Sequence, residues 1–326
     1  GQGWADLYIS PVVGEPQSIP MEGSIPLLIE NGVIRTRAAR LMGPFQRIEA
    51  SGYFDIARRA AQFAYRVESD RVERIPWLIP IDFGPDPLWL PTTGAGVFDG
   101  DLYISPGEVS TDLRVDLADV VAPGAVADRV QGSISIGRAG LRDMRLELLR
   151  PGGGLIVTGS IPFRGRPVEA GQQVLCGISG DAAGWPLDQV RPWMPLEIPA
   201  DGPMFGSVRL GGPLGQLNGQ VRAAVRPATV GELELDEIEL RLDFDPGQMF
   251  VDRLAATLPA GEAVLSGRLD PASGSVDMVV HADGLAMDRD PFVQLMPGGL
   301  SGRLLVDGTI EGSLASPRMA ANLRWR

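Results

Sequence analysis

A chain of 326 residues exceeds the size of one ordinary compact domain, so either a few globular units or one extended repetitive body is expected. The net charge of −12 argues against a nucleic-acid binder and an anionic membrane surface, while 21% charged residues and a mean hydropathy near zero exclude a disordered or membrane-embedded chain. Glycine (42) and proline (28) form about a fifth of the chain, the composition of many short strands joined by turns.

Along the chain, the first element is the strand-like hexapeptide Asp-Leu-Tyr-Ile-Ser-Pro at 6–11, which returns unchanged at 101–106. Two exact copies of six residues mark an internal repeat. Gly206-Ser-Val-Arg-Leu-Gly-Gly212 and Gly302-Arg-Leu-Leu-Val-Asp-Gly308 are weaker copies, which gives modules at about 1–95, 96–200, 201–297 and a truncated 298–326. Ahead of the last three copies stand apolar segments ending in proline, 72–80, 187–195 and 290–297, each read as a one- or two-turn helix covering a sheet end. Asp288 or Asp290 is a candidate cap for the third. The first module lacks such a segment, and the chain reads as an internal piece of a longer protein. No run of 18 apolar residues and no charged-then-apolar leader occurs in it.

Between these points apolar and polar residues alternate with period two, the mark of half-buried antiparallel strands. Val109, Thr111, Leu113, Val115 and Leu117 alternate with Ser110, Asp112, Arg114 and Asp116; Met144, Leu146 and Leu148 with Arg145 and Glu147; Ile238, Leu240, Leu242 and Phe244 with Glu239, Arg241 and Asp243. Val276, Met278, Val280, Leu304 and Val306 extend the set. Asn31-Gly32, Asp99-Gly100, Asn218-Gly219, Asp283-Gly284 and Asp307-Gly308 read as tight hairpin turns, and Pro151 to Gly154 as another. The stretch from Asp55 to Ala64 fits a helix or a strand, and Ile79 to Pro91 is proline-rich.

Chemistry-bearing constellations are poor. All 29 basic residues are arginine, which reads as the trace of a GC-rich genome. One cysteine, Cys176, excludes an intrachain disulfide, and with one histidine, His281, it excludes the usual zinc sets. A catalytic triad would have to use His281, which sits at the end of a strand pattern; Cys176 lies in an apolar run, as a small core residue does. Asp243 with Asp245 and Asp288 with Asp290 lack the ligand spacing of a calcium loop. The expectation is a protein that is not an enzyme and needs no cofactor or metal.

What remains is the apolar face, repeated strand after strand. It is either covered by another layer or open as a trough. Gly298 to Leu323, with its order of glycine, strand, Asp-Gly, Gly-Ser-Leu-x-x-Pro and strand, resembles the recurring unit of TamB and its AsmA-like relatives, and Pro20 to Ile34 is similar. That resemblance implies an all-β, elongated, repetitive antiparallel sheet curled into a taco-like open groove with a few short helices. It also implies a periplasmic position bridging inner and outer membranes, phospholipid acyl chains as cargo, and an outer-membrane TamA-type barrel and unfolded outer-membrane proteins as partners. The fifteen residues Val109, Leu113, Val115, Leu117, Leu146, Leu148, Ile238, Leu240, Leu242, Phe244, Val276, Met278, Val280, Leu304 and Val306 are the expected groove lining. The alternatives are a scaffold or chaperone for outer-membrane proteins acting through open sheet edges, and a β-repeat glycan binder, which would need exposed aromatics among Trp4, Trp77, Trp89, Trp185, Trp193 and Trp325.

Overall fold

The computed structural model describes residues 2–9, 21–74, 93–122, 125–137, 140–162, 175–189, 200–213, 218–231, 233–246, 248–270, 273–289, 301–313 and 316–326. Over these residues the chain is all-β, with 22 strands, nineteen of which bond into one antiparallel sheet that does not close into a barrel. Contacts divide the chain into two compact units, Gly1–Pro151 with Thr158–Ala170 and Gly152–Val157 with Gly171–Arg326.

In the first unit the strands are β1 Gln2–Ile9, β2 Glu22–Glu30, β3 Val33–Met42, β4 Gln46–Asp55, β5 Ala60–Ser69, β6 Thr93–Ser105, β7 Glu108–Ala122, β8 Ala125–Gly137 and β9 Gly140–Arg150, each paired with its neighbour in sequence. β10, Gly153–Pro162, is divided between the units. The second unit holds β11 Leu175–Pro186, β12 Ala200–Asp201, β13 Pro203–Pro213, β14 Asn218–Val225, β15 Ala228–Val230, β16 Leu233–Leu235, β17 Glu237–Asp245, β18 Gln248–Leu258, β19 Gly261–Asp270, β20 Ser275–Ala286, β21 Arg303–Ser313 and β22 Ser316–Trp325. There β12, β15 and β16 form a separate small sheet, so β11 pairs with β13 and β14 with β17.

Asp6 to Ile9 of the first hexapeptide copy lie in β1, with Ser10 and Pro11 outside the described residues, and Asp101 to Ser105 of the second lie in β6, so the described part of the sequence repeat is a repeat of strands. Between Asp55 and Ala64 the strand alternation prevails: β4 runs to Asp55, four turn residues follow, and β5 starts at Ala60. The 72–80 and 187–195 segments open as single 3-10 turns, Val72–Arg74 and Leu187–Gln189; the rest of both, all of 290–297, and the stretch 79–91 lie outside the described residues. Leu187 is buried against Val225, Ala228 and Leu235, so this turn and the small sheet cover one end of the second unit's apolar face.

The Asp-Gly readings need correction. Asn31-Gly32 and the turn at Pro151-Gly152 are hairpin turns, but Asp99-Gly100 lies in the middle of β6 and Asp307-Gly308 in the middle of β21. Asn218-Gly219 opens β14, and Asp283-Gly284 lies within β20 at a register shift between Ala282 and Leu285. Gly100, Gly219 and Gly308 serve close approach rather than a tight turn, whereas Gly284 supplies a φ of +69° at the register shift. A Cβ on Gly100 would stand 2.3 Å from the Asp112 carbonyl oxygen, and one on Gly132 2.0 Å from that of Arg145. A carbonyl oxygen of the neighbouring strand stands there in the space of a Cβ, and only a residue without a side chain allows it.

Candidate functional site: the apolar face of the sheet

Register decides which side chains share a face, since a slip by one residue would turn every one of them over. In the first unit Leu113 lies between Gly100 and Ile134, Val115 between Phe98 and Gly132, and Leu117 between Gly96 and Val130. Leu146 faces Gly132, Leu148 faces Val130, and Val109 faces Ile104. The six expected residues of this unit therefore stand on one face, together with Ile48, Val67 and Phe98.

That face is well covered. Val67 is 0% exposed, and Leu113, Val115 and Leu117 are 5–8% exposed, more burial than a flat bare sheet allows. Val109, beside the turn at the end of its hairpin, is 45% exposed and lies outside this covered zone. Leu146 and Leu148, on β9, are half-buried.

Polar groups also point to this face: Thr111, which the alternation places there, and Thr36, Gln46 and Ser69, which it did not single out, all buried. Tyr65, opposite Gly100, reaches over that glycine, and its hydroxyl lies 2.8 Å from Thr111 Oγ1. Burial pushes the Tyr65 phenol up, opposed in part by this bond. The Ser69 hydroxyl donates to the Phe45 carbonyl at 3.1 Å, and the Gln46 amide NH2 to Met21 Sδ at 3.0 Å. Each occupies a strand position of apolar parity, the one signal that could have found them.

In the second unit all nine expected residues share a face. Ile238 lies between Val225 and Ala256, Leu240 between Ala223 and Leu254, Leu242 between Val221 and Val251, and Phe244 between Gly219 and Met249. Val276 lies between Leu269 and Gly312, Met278 between Gly267 and Ile310, Val280 between Leu265 and Gly308, Val306 between Ala282 and Leu323, and Leu304 between Leu285 and Trp325. Ile238 packs against the Leu187 and Leu235 cluster at the covered end. Val276 is buried, whereas the other eight are half-buried, and Leu254, the neighbour of Leu240, is 36% exposed. Rows of Leu, Val, Met, Ile and Phe thus cross β13, β14, β17, β18, β19, β20, β21 and β22 without a charged residue among these positions.

The opposite face carries the charge. Arg129 grips Asp116 with two bonds of 2.8 Å, Arg47 donates to Glu49 at 2.7 Å, and Arg253 donates to Glu239 at 2.9 Å. These arginines hold Asp116 and Glu49 below the usual carboxylate range; Arg241 and then Arg253 do so for Glu239, and Gln131 followed by Arg145 for Glu147. His281 faces Asp307 across β20 and β21, with Nδ1 2.7 Å from Oδ1, on this exposed side. The backbone of Cys176 lies in β11 opposite Gly212.

Among the described residues no group of three or more His, Cys, Asp or Glu is arranged to hold a metal, and no helix is long and apolar enough to cross a membrane. Of the tryptophans, Trp185 is 1% exposed, whereas Trp4 on β1 and Trp325 on β22 are 79% and 47% exposed; Trp77, Trp89 and Trp193 lie outside the described residues. No family model, no curated protein and no solved structure matches this chain.

Proposed function

We propose that this chain is a non-catalytic conduit segment that carries phospholipid acyl chains along the apolar face of its sheet. The single observation that supports this most is the set of half-open aliphatic rows of the second unit, in register across consecutive strands and free of charge. A folded core closes such rows; a conduit leaves them reachable. Two acyl chains of ordinary length lose on the order of 20 kcal/mol of favourable environment on entering water, at about 0.8 kcal/mol per methylene. A continuous apolar face removes most of that barrier and needs no catalytic group. A periplasmic position between two membranes, and an outer-membrane barrel as partner, are part of the same proposal and come from the sequence resemblance.

The test is native mass spectrometry of the purified chain and organic extraction of what it carries, on the wild type and on a Leu240→Arg, Met278→Arg double variant. Phospholipid on the wild type and none on the folded double variant is the expected result. Lipid on neither protein would overturn the reading.

A further inference from the structure

Arg150 ends β9, two residues beyond Leu148 and four beyond Leu146, so the three side chains stand on the same side of the strand at about 6.6 Å intervals. The arginines with carboxylate partners described above lie on the charged face; Leu149, on that face, is 38% exposed. Arg150 is the exception in chemistry as well as in place. It is only half-exposed, and one of its terminal guanidinium nitrogens is buried without a hydrogen-bond partner. Its strand neighbour of opposite charge, Glu147, points to the other face and is engaged by Gln131 and Arg145.

A buried guanidinium N–H without an acceptor is costly, and a cation at the end of an aliphatic row needs an anion that arrives with apolar surface attached. The planar fork of arginine matches two oxygens of a phosphate. We propose, on the basis of the conduit reading above, that Arg150 anchors the phosphodiester of a diacyl phospholipid whose chains lie along Leu146 and Leu148. The site then selects for the phosphate and not for the rest of the head group. The unpaired nitrogen is explained as the half of a bond whose other half is cargo.

The experiment incubates the full chain with dioleoyl phosphatidylglycerol, dioleoylglycerol or oleate in detergent and reads bound ligand by native mass spectrometry. The wild type is expected to hold the phospholipid about tenfold better than the diacylglycerol. Arg150→Gln is expected to abolish that preference while diacylglycerol binding stays unchanged, and Arg150→Lys to keep part of it, with melting temperature reporting the fold of each. Equal binding of phospholipid and diacylglycerol by the wild type, or an Arg150→Gln variant with its preference intact, overturns the anchor but leaves the conduit standing. Oleate held through Arg150 as well as the phospholipid overturns the phosphodiester assignment. Binding of no lipid by any variant ends the conduit reading and the anchor together.

Discussion

The Tyr65 hydroxyl meets Thr111 Oγ1 at 2.8 Å from the far side of Gly100, tying β5 to β7 across a strand that offers no side chain between them. Glycine makes the close backbone approach possible, and the tyrosine fills the space that the missing side chain leaves.

Tyr65→Phe leaves buried Thr111 without its partner and is expected to cost about 1–2 kcal/mol in urea denaturation. Adding Thr111→Val should recover much of that loss. If the double variant is as unstable as the sum of both single variants, the bond is not what matters there. Because the folded phenol titrates above its unfolded value, this group's contribution is full below about pH 10 and fades as pH rises through the folded value, so Tyr65→Phe should also flatten the alkaline fall in melting temperature.

Two glycines separate strain from crowding. Gly132→Ala forces a Cβ to 2.0 Å from the Arg145 carbonyl oxygen at a φ of +155°, and should cost about 3 kcal/mol or more. Gly107→Ala, at φ +85° with nothing within 4 Å, should cost only the conformational term of about 1 kcal/mol. Equal losses at the two sites would mean that the sheet can relax around Gly132 and that the close approach there is not fixed.

Acid should weaken the fold in a defined window. Glu49, Asp116, Glu147 and Glu239 titrate lower when folded than when unfolded, so their contribution is complete above the unfolded values, near pH 4, and is lost as pH falls through the folded ones. All four are on the solvent side, and the effect should shrink in high salt. An Asp116→Asn, Glu239→Gln variant should show a shallower acid limb in thermal melts; an unchanged limb would assign the acid response to other groups.

Trp185 tests what the tryptophans are for. It is almost wholly buried on β11 next to the bulge at Gly184, and Trp185→Ala is expected to destabilise by about 3–5 kcal/mol. Trp4→Ala, at 79% exposure, should be within about 0.5 kcal/mol of wild type. A sugar-dependent shift in Trp4 or Trp325 fluorescence would instead support the glycan reading.

Much of the strand architecture was readable because period-two alternation is a local property. Leu240, Leu242 and Phe244 share a face whatever lies beyond them, and register only needed to line them up with Val221, Val251 and Met249. Coverage of that face was not readable, since whether Val115 is sealed and Leu240 half-open depends on contacts distant in sequence. Asp99-Gly100 was misread because a hairpin and a close backbone approach ask for the same residue, and nothing next to Gly100 says that Tyr65 is opposite it. Arg150 escaped notice for a similar reason: it ends an alternating run just before Pro151, where a charge looks like the start of a turn.

In the first unit, from β1 to β9, each strand's partner is the strand before or after it in sequence. The loop that must be closed to form each new pair is therefore short for most hairpins, so contact order is low for an all-β protein and the entropic barrier to adding a strand is small. Such a sheet can grow by accretion from one end as the polypeptide emerges, each finished strand serving as the template for the next. The same property makes the most recently added strand a sticky edge until its successor arrives, so the hazard during synthesis moves along the chain with the growing end.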